Sequence, residues 1–166
     1  TIRDEKGDTW FIAFDYDGYE IAATSAISVA TRLFWALGYN QDEAHITTIP
    51  PENVVISEDA TIRAHGKRRR FTDGDLKDVF RRADKGDDGS YRVSAGRLLP
   101  GRPIGGFKYF GTRPDDPNDI VPHEHRRELR ALQVFGAWAN LVDMKAGNTL
   151  DTLITENGKG VVRHYL

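Results

Sequence analysis

The chain has no cysteine and only one methionine among its 166 residues. Without cysteine, disulfide bonds and thiolate zinc sites are excluded, while the compartment stays open because either redox environment tolerates such a sequence. No apolar run approaches the roughly 20 residues that a membrane span requires, and the N-terminus lacks the charged-then-apolar form of a signal peptide. The sequence therefore predicts no membrane span and leaves the localisation unknown.

The chain also lacks an excess of charge of either sign. Its 23 Lys and Arg residues nearly balance 25 Asp and Glu residues, for a formal net charge of -2. No long-range field would draw such a protein to nucleic acid, so we expect no nucleic-acid partner, and the oligomeric state is unknown. The length predicts a single domain over residues 1–166. Because the only methionine is Met144, Thr1 is not a translation start, and we expect the chain to be a fragment of a longer protein.

Residue patterns in the first half predict alternating strands and helices. Residues 9–14 are rich in aromatic and β-branched side chains, which is typical of a strand. Apolar residues recur at three- and four-residue steps over residues 24–37 and predict an amphipathic helix. Residues 46–49 and 53–56 favour strands interrupted by two prolines. Thr72 begins a second predicted helix, which ends near residue 83.

The second half predicts a hairpin, a hinge and a long helix. Residues 91–99 and 107–110 are strand-like around a turn rich in glycine and proline. Residues 113–118 form a polar hinge, and Pro122 suits the first position of a helix extending to about residue 140. The fold predicted is α+β, with a small mixed sheet and one packed helix followed by a helical part. The expected inward face of the long helix comprises Leu129, Leu132, Phe135, Gly136, Trp138 and Ala139.

Three polar residues after that helix have the chemistry that phosphoryl transfer requires. They form the pattern Asp143-x-Lys145-x-x-Asn148, which precedes an apolar stretch, a turn and a final strand. In such a reaction an aspartate orients the attacking hydroxyl, a cation contacts the γ-phosphate, and an asparagine oxygen binds magnesium. A polar loop with the same letters by chance is the alternative interpretation.

This succession of helix, loop and hairpin resembles the catalytic loop of the protein-kinase-like superfamily. The resemblance implies that Asp143 is the catalytic base, Lys145 a phosphate contact and Asn148 a metal ligand and cofactor-binding residue, with Mg²⁺ and ATP as cofactors. It also implies an N-lobe-like part over residues 1–113 and the start of a C-lobe-like part over residues 114–166. Segments 34–40, 111–119 and 122–130 are similar to uncharacterised bacterial proteins with a kinase-like core.

Two positions depart from the kinase-like pattern. Ala13 stands near the place of the nucleotide-binding lysine, and Ile27 near the place of its glutamate partner. The function expected is therefore phosphoryl transfer from a nucleotide to an unknown acceptor, with a non-catalytic binding scaffold as the alternative. Neither Ala13 nor Ile27 can supply a charge, which is the observation that favours the scaffold.

Two other clusters suggest different chemistry. Oxygen and imidazole side chains between residues 115 and 125 suggest a metal-dependent hydrolase, although His123 and His125 lie two apart and would point in different directions on a helix. The basic run of residues 67–70 suggests a phosphate-rich partner or nucleic acid, with a solvated loop as the alternative. The residues of the possible metal cluster are Asp115, Asp116, Asp119, His123, Glu124 and His125.

Overall fold

The computed structural model of this protein describes residues 1–166 and divides them into two units. Unit 1 comprises Thr1–Thr31 and Glu43–Leu98, and unit 2 comprises Arg32–Asp42 and Leu99–Leu166. The fold class is α+β, as predicted. The single-domain assignment and its division at residue 113 stay predictions. In chain order the elements are β1 (Ile2–Arg3), β2 (Thr9–Phe14), α1 (Ala22–Ala36), β3 (Ala44–Ile49), β4 (Thr61–Ala64), β5 (Lys67–Arg70), α2 (Asp73–Arg82), β6 (Tyr91–Arg97), β7 (Arg102–Gly105), α3 (Arg127–Trp138), β8 (Leu150–Glu156) and β9 (Lys159–Tyr165).

Unit 1 is built on a four-stranded sheet in the order β1-β2-β6-β3. All its neighbours are antiparallel, so the prediction of a mixed sheet was wrong in this respect. The central strand β6 is buried along most of its length, and Val93 is fully buried. Phe80 of α2 stacks on Tyr91 with ring centroids 4.7 Å apart, and Phe14 packs edge-on against both rings. This aromatic cluster holds α2 against the sheet.

Most elements predicted for unit 1 are confirmed within a few residues. The capping box between Thr72 and Asp75 begins α2, as the sequence indicates. Two expectations were wrong. The segment expected to be a strand at residues 53–56 contains only the end of a 3₁₀ turn, Pro51–Asn53, because Pro51 suits the start of a helical turn and cannot donate to a ladder. The basic run of residues 67–70 is strand β5 rather than a loop.

Unit 2 contains a three-stranded antiparallel sheet in the order β7-β8-β9. The hairpin between β8 and β9 turns at Asn157 and Gly158, whose φ angles of 52° and 76° are those of a type I′ turn. Asn40 joins the same unit by donating from its amide to the carbonyl oxygen of His164 at 2.9 Å. No helix of either unit is long and apolar enough to cross a membrane.

The predicted hairpin over residues 91–110 does not form. Strand β6 belongs to the sheet of unit 1, whereas β7 pairs with β8 of unit 2. Gly101, with φ of 92°, allows the turn before β7, and a side chain there would overlap the backbone of Leu153. Residues 107–110, expected to be a strand, lie outside any strand. Strand pairing was therefore decided by a distant segment of the chain.

The long helix predicted from Pro122 is divided into a 3₁₀ turn, His123–His125, followed by α3. Leu129, Leu132 and Gly136 form its buried face, as predicted, but Trp138 is 76% exposed. At about 100° per residue, Trp138 lies half a turn away from Leu129, which explains why it faces solvent. Ala139 is also exposed and Phe135 is half-buried. The expectation that Trp138 belongs to the core was wrong. The part after residue 113 comprises one α-helix, α3, and the β8–β9 hairpin.

Candidate functional site

The loop between α3 and β8 brings Asp143, Lys145 and Asn148 together. The ammonium group of Lys145 lies 2.9 Å from Oδ1 and 3.0 Å from Oδ2 of Asp143. The side-chain amide of Asn148 donates to the main-chain carbonyl oxygen of Asp143 at 2.9 Å. All three residues are exposed, and Asn148 lies in the 3₁₀ turn Ala146–Asn148. The three residues that the sequence singled out therefore share one small, solvent-accessible loop.

A Schellman motif at the end of α3 directs the chain into this loop. Asn140 has a φ of 55°, and its backbone N–H donates to the carbonyl oxygen of Ala137 at 3.3 Å. The next N–H, of Leu141, donates to the carbonyl oxygen of Gly136 at 2.7 Å. These two bonds satisfy carbonyl groups left free at a helix end, and asparagine tolerates the left-handed conformation required. The helix thereby ends sharply just before Asp143.

Met144, which lies between the aspartate and the lysine, anchors the loop on α3. A methyl group at Gly136 would lie 2.6 Å from the sulfur of Met144, far inside van der Waals contact. Met144 therefore occupies the space that the missing side chain of Gly136 leaves open. Its neighbours Asp143 and Lys145 face solvent while Met144 is half-buried. The alternation fixes which side chains of the loop can reach a ligand.

The segment after β7 supports the loop from a second direction. A methyl group at Gly106 would overlap the carbonyl oxygen of Ala146, so the two backbones are in direct contact. The backbone N–H of Phe107 donates to the hydroxyl of Thr149 at 2.7 Å. That hydroxyl lies 3.0 Å from the carbonyl oxygen of Ala146 and 3.2 Å from that of Phe107, to which it can donate. Thr149 thus ties the 3₁₀ turn to a buried part of unit 2.

The charge of Asp143 is stabilised by its neighbours. The Lys145 ammonium, and then the Asn148 amide, hold the pKa of the Asp143 carboxyl below its usual value. Asp143 is therefore ionised at neutral pH and can accept a hydrogen bond from a hydroxyl group. The amide nitrogen of Asn148 is a hydrogen-bond donor, so Oδ1 is the atom through which this side chain can bind a cation.

A cleft of about 500 Å³ opens beside the loop. Aromatic and basic side chains line it, and burial raises the pKa of Tyr109, so this phenol stays protonated at neutral pH. The cleft is mostly apolar and two lysines are among its lining residues, a combination suited to a ligand with an apolar part and a negative charge. Its lining residues are Lys108, Tyr109, Phe110, Gln133, Met144, Lys145 and Ala146.

Three residues of the possible metal cluster, Asp119, His123 and Glu124, have other partners within the protein. Asp119 accepts from the backbone N–H of Arg113 at 2.6 Å, and its carboxylate also contacts His123 at 2.7 Å and the guanidinium of Arg126. Burial would raise the pKa of Asp119, but these hydrogen bonds and charges hold it below its usual value. Glu124 accepts from the backbone N–H of Gly111 at 2.7 Å.

His123 also uses both of its ring nitrogens within the protein. Its second ring nitrogen contacts the carbonyl oxygen of Lys108, and its ring stacks on Phe107 with centroids 4.3 Å apart. No three of the acidic and histidine side chains form a group that could hold a metal ion. The hydrogen bonds of Asp119, His123 and Glu124 therefore stabilise the conformation of residues 111–126.

A buried charge group around Asp151 was not predicted from the sequence. This carboxylate is fully buried, and it contacts the guanidinium of Arg113 and, at 2.5 Å, Nδ1 of His164. The signal was an aspartate inside the otherwise apolar stretch of residues 150–154, because a buried carboxylate requires charged or hydrogen-bonding partners. Asp151 links the hinge segment to the β8–β9 hairpin that follows the loop.

The two departures from the kinase-like pattern lie in unit 1. Ala13 is in β2 and pairs with Ser94, and β2 contains no lysine. Ile27 is in α1 and is half-buried. Neither position can provide the lysine–glutamate pair of an active kinase.

Neither family models, nor curated proteins, nor solved structures match this chain. The kinase-like resemblance therefore depends on the residues of the chain itself. The three residues that carry the resemblance, Asp143, Lys145 and Asn148, lie together in the loop described above.

Proposed function

We propose that this chain belongs to an atypical kinase-like domain that transfers a phosphoryl group from a nucleotide to an acceptor hydroxyl. The observation that carries the proposal is the meeting of Asp143, Lys145 and Asn148 in one exposed loop. Support for this loop comes from Met144 on α3 and from Gly106 against Ala146. Such support keeps the reacting groups in a fixed geometry, on which this class of catalysis depends.

Each residue has a separate role in the proposed reaction. The ionised carboxylate of Asp143 accepts the proton of the acceptor hydroxyl while that oxygen bonds to the γ-phosphorus. The bond between the γ-phosphorus and the bridging oxygen breaks, and the nucleoside diphosphate leaves with the electron pair. Lys145, whose side chain is 62% exposed, can turn from Asp143 to the γ-phosphate and balance its charge.

The donor set of the loop fits a magnesium ion that is bound mainly through the nucleotide. Magnesium commonly takes one or two protein oxygens and completes its shell with phosphate oxygens and water. Oδ1 of Asn148 is such an oxygen. When bound, Mg²⁺ with ATP supplies the phosphoryl group and neutralises charge on the phosphates.

A non-catalytic binding scaffold is the second candidate, and Ala13 and Ile27 favour it. A protein that lacks the lysine–glutamate pair can keep the loop for binding alone. The metal-dependent hydrolase has less support, because Asp119 and His123 already use their polar atoms within the protein.

Calorimetric titration with ATP, in magnesium and then in excess chelator, tests the proposal. We expect magnesium-dependent binding that Asn148→Ala weakens and that Asp143→Asn leaves nearly unchanged, while Asp143→Asn removes most of the phosphoryl transfer. Asp115→Asn is the matched control, because Asp115 is exposed and belongs to another loop. Absence of binding at millimolar ATP would refute the proposed phosphoryl transfer. Binding of ATP without transfer of the phosphoryl group would favour the non-catalytic scaffold.

A further inference from the structure

The hairpin of β4 and β5 is a separate two-stranded ribbon with a basic outer face. Its strands pair Arg63 with Arg68 and Thr61 with Arg70, and they turn at His65 and Gly66. Because side chains alternate along a strand, Arg63, Arg68 and Arg70 share one face, while Arg69 shares the other face with Ile62. The Ile62 face is the packed one, since Ile62 and Ala64 are half-buried and all three outer arginines are exposed.

The three outer arginines have no ion-pair partner, unlike Arg69 on the opposite face. Arg63 and Arg68 stand directly across from each other, so their side chains leave the backbone only about 5 Å apart. Like charges in this arrangement destabilise a hairpin. Folding therefore gains nothing from this pair, whereas an anion bound between the two guanidinium groups would relieve the repulsion.

The face of the ribbon opposite the three arginines is tied to α2 by an ion pair. Arg69 makes a two-pronged contact with Asp75 at 2.7 and 2.6 Å, and Asp75 also forms the capping box of α2 with Thr72. The ladder is extended by the backbone N–H of Phe71, which donates to the carbonyl oxygen of Ala60 at 2.9 Å. A ribbon backbone held at these points loses less entropy when it binds an anion than a mobile loop would lose.

The dimensions and charge of the face favour a compact anion. Arg68 and Arg70 are two residues apart on one strand, about 7 Å, so the three planar forks can converge on a single phosphate group. A nucleic-acid track would require basic residues beyond a four-residue ribbon, and the whole protein is slightly acidic with a net charge of -2. The ribbon strands also contain no aromatic side chain on which a base could stack.

We propose that the outer face of this ribbon binds the phosphate monoester of a phosphorylated protein segment, with Arg63, Arg68 and Arg70 as its ligands. Clusters of arginine recognise such groups because the dianion accepts several charge-assisted hydrogen bonds. No third strand pairs with β4 or β5, so an extended segment can lie along the ribbon while its phosphate meets the arginines. This site is independent of the phosphoryl-transfer proposal.

Fluorescence anisotropy with a labelled glycine–alanine heptapeptide carrying one central phosphoserine tests the site at low salt. We expect binding at least roughly tenfold tighter than that of the same peptide with unmodified serine, since the unmodified peptide lacks every charge-assisted hydrogen bond to the phosphate. Arg68→Gln should weaken binding of the phosphopeptide by roughly the same factor. Lys67→Gln is the matched control, because it removes the same charge from the same strand on the opposite face, and it should change affinity by less than about twofold.

Stability gives a second readout that does not depend on the peptide. Arg68→Gln should raise the melting temperature of the unliganded protein slightly, because it removes the repulsion from Arg63. Lower stability would show that Arg68 has a structural partner and would overturn the proposal. Equal losses of affinity in the two variants, or no preference for the phosphopeptide, would also overturn it. If inorganic phosphate binds as tightly as the phosphopeptide, the ligand is a free anion. If a DNA duplex binds more tightly, the ligand is nucleic acid. Either result would refute the proposal of a phosphorylated protein segment.

Discussion

The α-carbon of Gly106 lies directly against the carbonyl group of Ala146, with no room for a side chain between them. One residue follows strand β7 and the other begins the 3₁₀ turn that contains Asn148. The proposed catalytic loop is thus positioned by a backbone contact that spans 40 residues of sequence. A small change at this contact should therefore displace the loop that contains Asp143, Lys145 and Asn148.

Gly106→Ala should therefore destabilise unit 2 and displace the loop. The added methyl group would overlap a backbone carbonyl, which cannot rotate away as a side chain can. We expect a loss of about 1–3 kcal/mol in the free energy of unfolding, measured by urea denaturation. Gly147→Ala is the control in the same loop, because the nearest atom to its added methyl group is 3.9 Å away. Equal stability of the two variants would contradict the contact.

Gly136→Ala should show energetic coupling to Met144. Alanine favours helix over glycine by about 1 kcal/mol, but its methyl group here would displace the sulfur of Met144. We expect the single variant to be less stable than the starting protein and Met144→Ala in the same background to relieve the conflict. A double-mutant cycle should give a coupling above roughly 0.5 kcal/mol. Strict additivity would show that Met144 does not pack on Gly136.

Asp15 should make the stability of unit 1 depend on acid pH. Burial would raise the pKa of this carboxyl, but hydrogen bonds from the backbone and hydroxyl of Thr24, with the charge of Arg92, hold it below its usual value. A lowered folded-state pKa means that Asp15 stabilises the protein above its unfolded pKa of about 3.9, and that this contribution disappears as pH falls through the folded value.

Asp15→Asn should cost about 2 kcal/mol at pH 7 and flatten the loss of stability below about pH 4. Denaturation at a series of pH values measures both effects. Asp17→Asn removes an exposed carboxyl nearby and should leave the pH profile unchanged. A profile of Asp15→Asn parallel to that of the unmodified protein would show that Asp15 is not the acid-sensitive group.

Lys145→Met should raise the pKa of Asp143 toward its ordinary value. The ammonium stabilises the ionised carboxylate from 2.9 Å, so its removal makes protonation easier. Carbon NMR of the Asp143 carboxyl during a pH titration measures this shift directly, without requiring activity. Lys159→Met, at the start of β9, should leave the pKa of Asp143 unchanged. An unshifted pKa in Lys145→Met would remove the basis for pairing these two residues.

Trp138→Ala should have little effect on stability, within about 0.5 kcal/mol, because the side chain is 76% exposed. Leu132→Ala, on the buried face of the same helix, should cost about 2–5 kcal/mol. Thermal or urea denaturation distinguishes the two. A large loss for Trp138→Ala would restore the expectation from the sequence that this tryptophan belongs to the core.

The sequence by itself determined the elements whose signals are short-range. Thr72 and Asp75 form their capping box within one turn, and Asn157 with Gly158 closes the β8–β9 hairpin through their own backbone preferences. Asp143, Lys145 and Asn148 were also predictable as a group, because six residues of a tight loop bring their side chains together. In each case the interacting groups are too close in sequence for the rest of the fold to separate them.

Only the tertiary structure decided the pairings between distant segments. Strand β7 could have paired with β6 on local evidence, but it pairs with β8, and Trp138 lies on the solvent side because the packed face of α3 is narrower than its apolar pattern. The fit of Gly106 on Ala146 leaves no local pattern. The aspartate within an apolar stretch marks Asp151 as a residue that needs partners, but nothing local identifies Arg113 and His164 as those partners. Burial and close packing select such contacts among many that the local sequence permits equally well, which is why they appear only once the chain has folded.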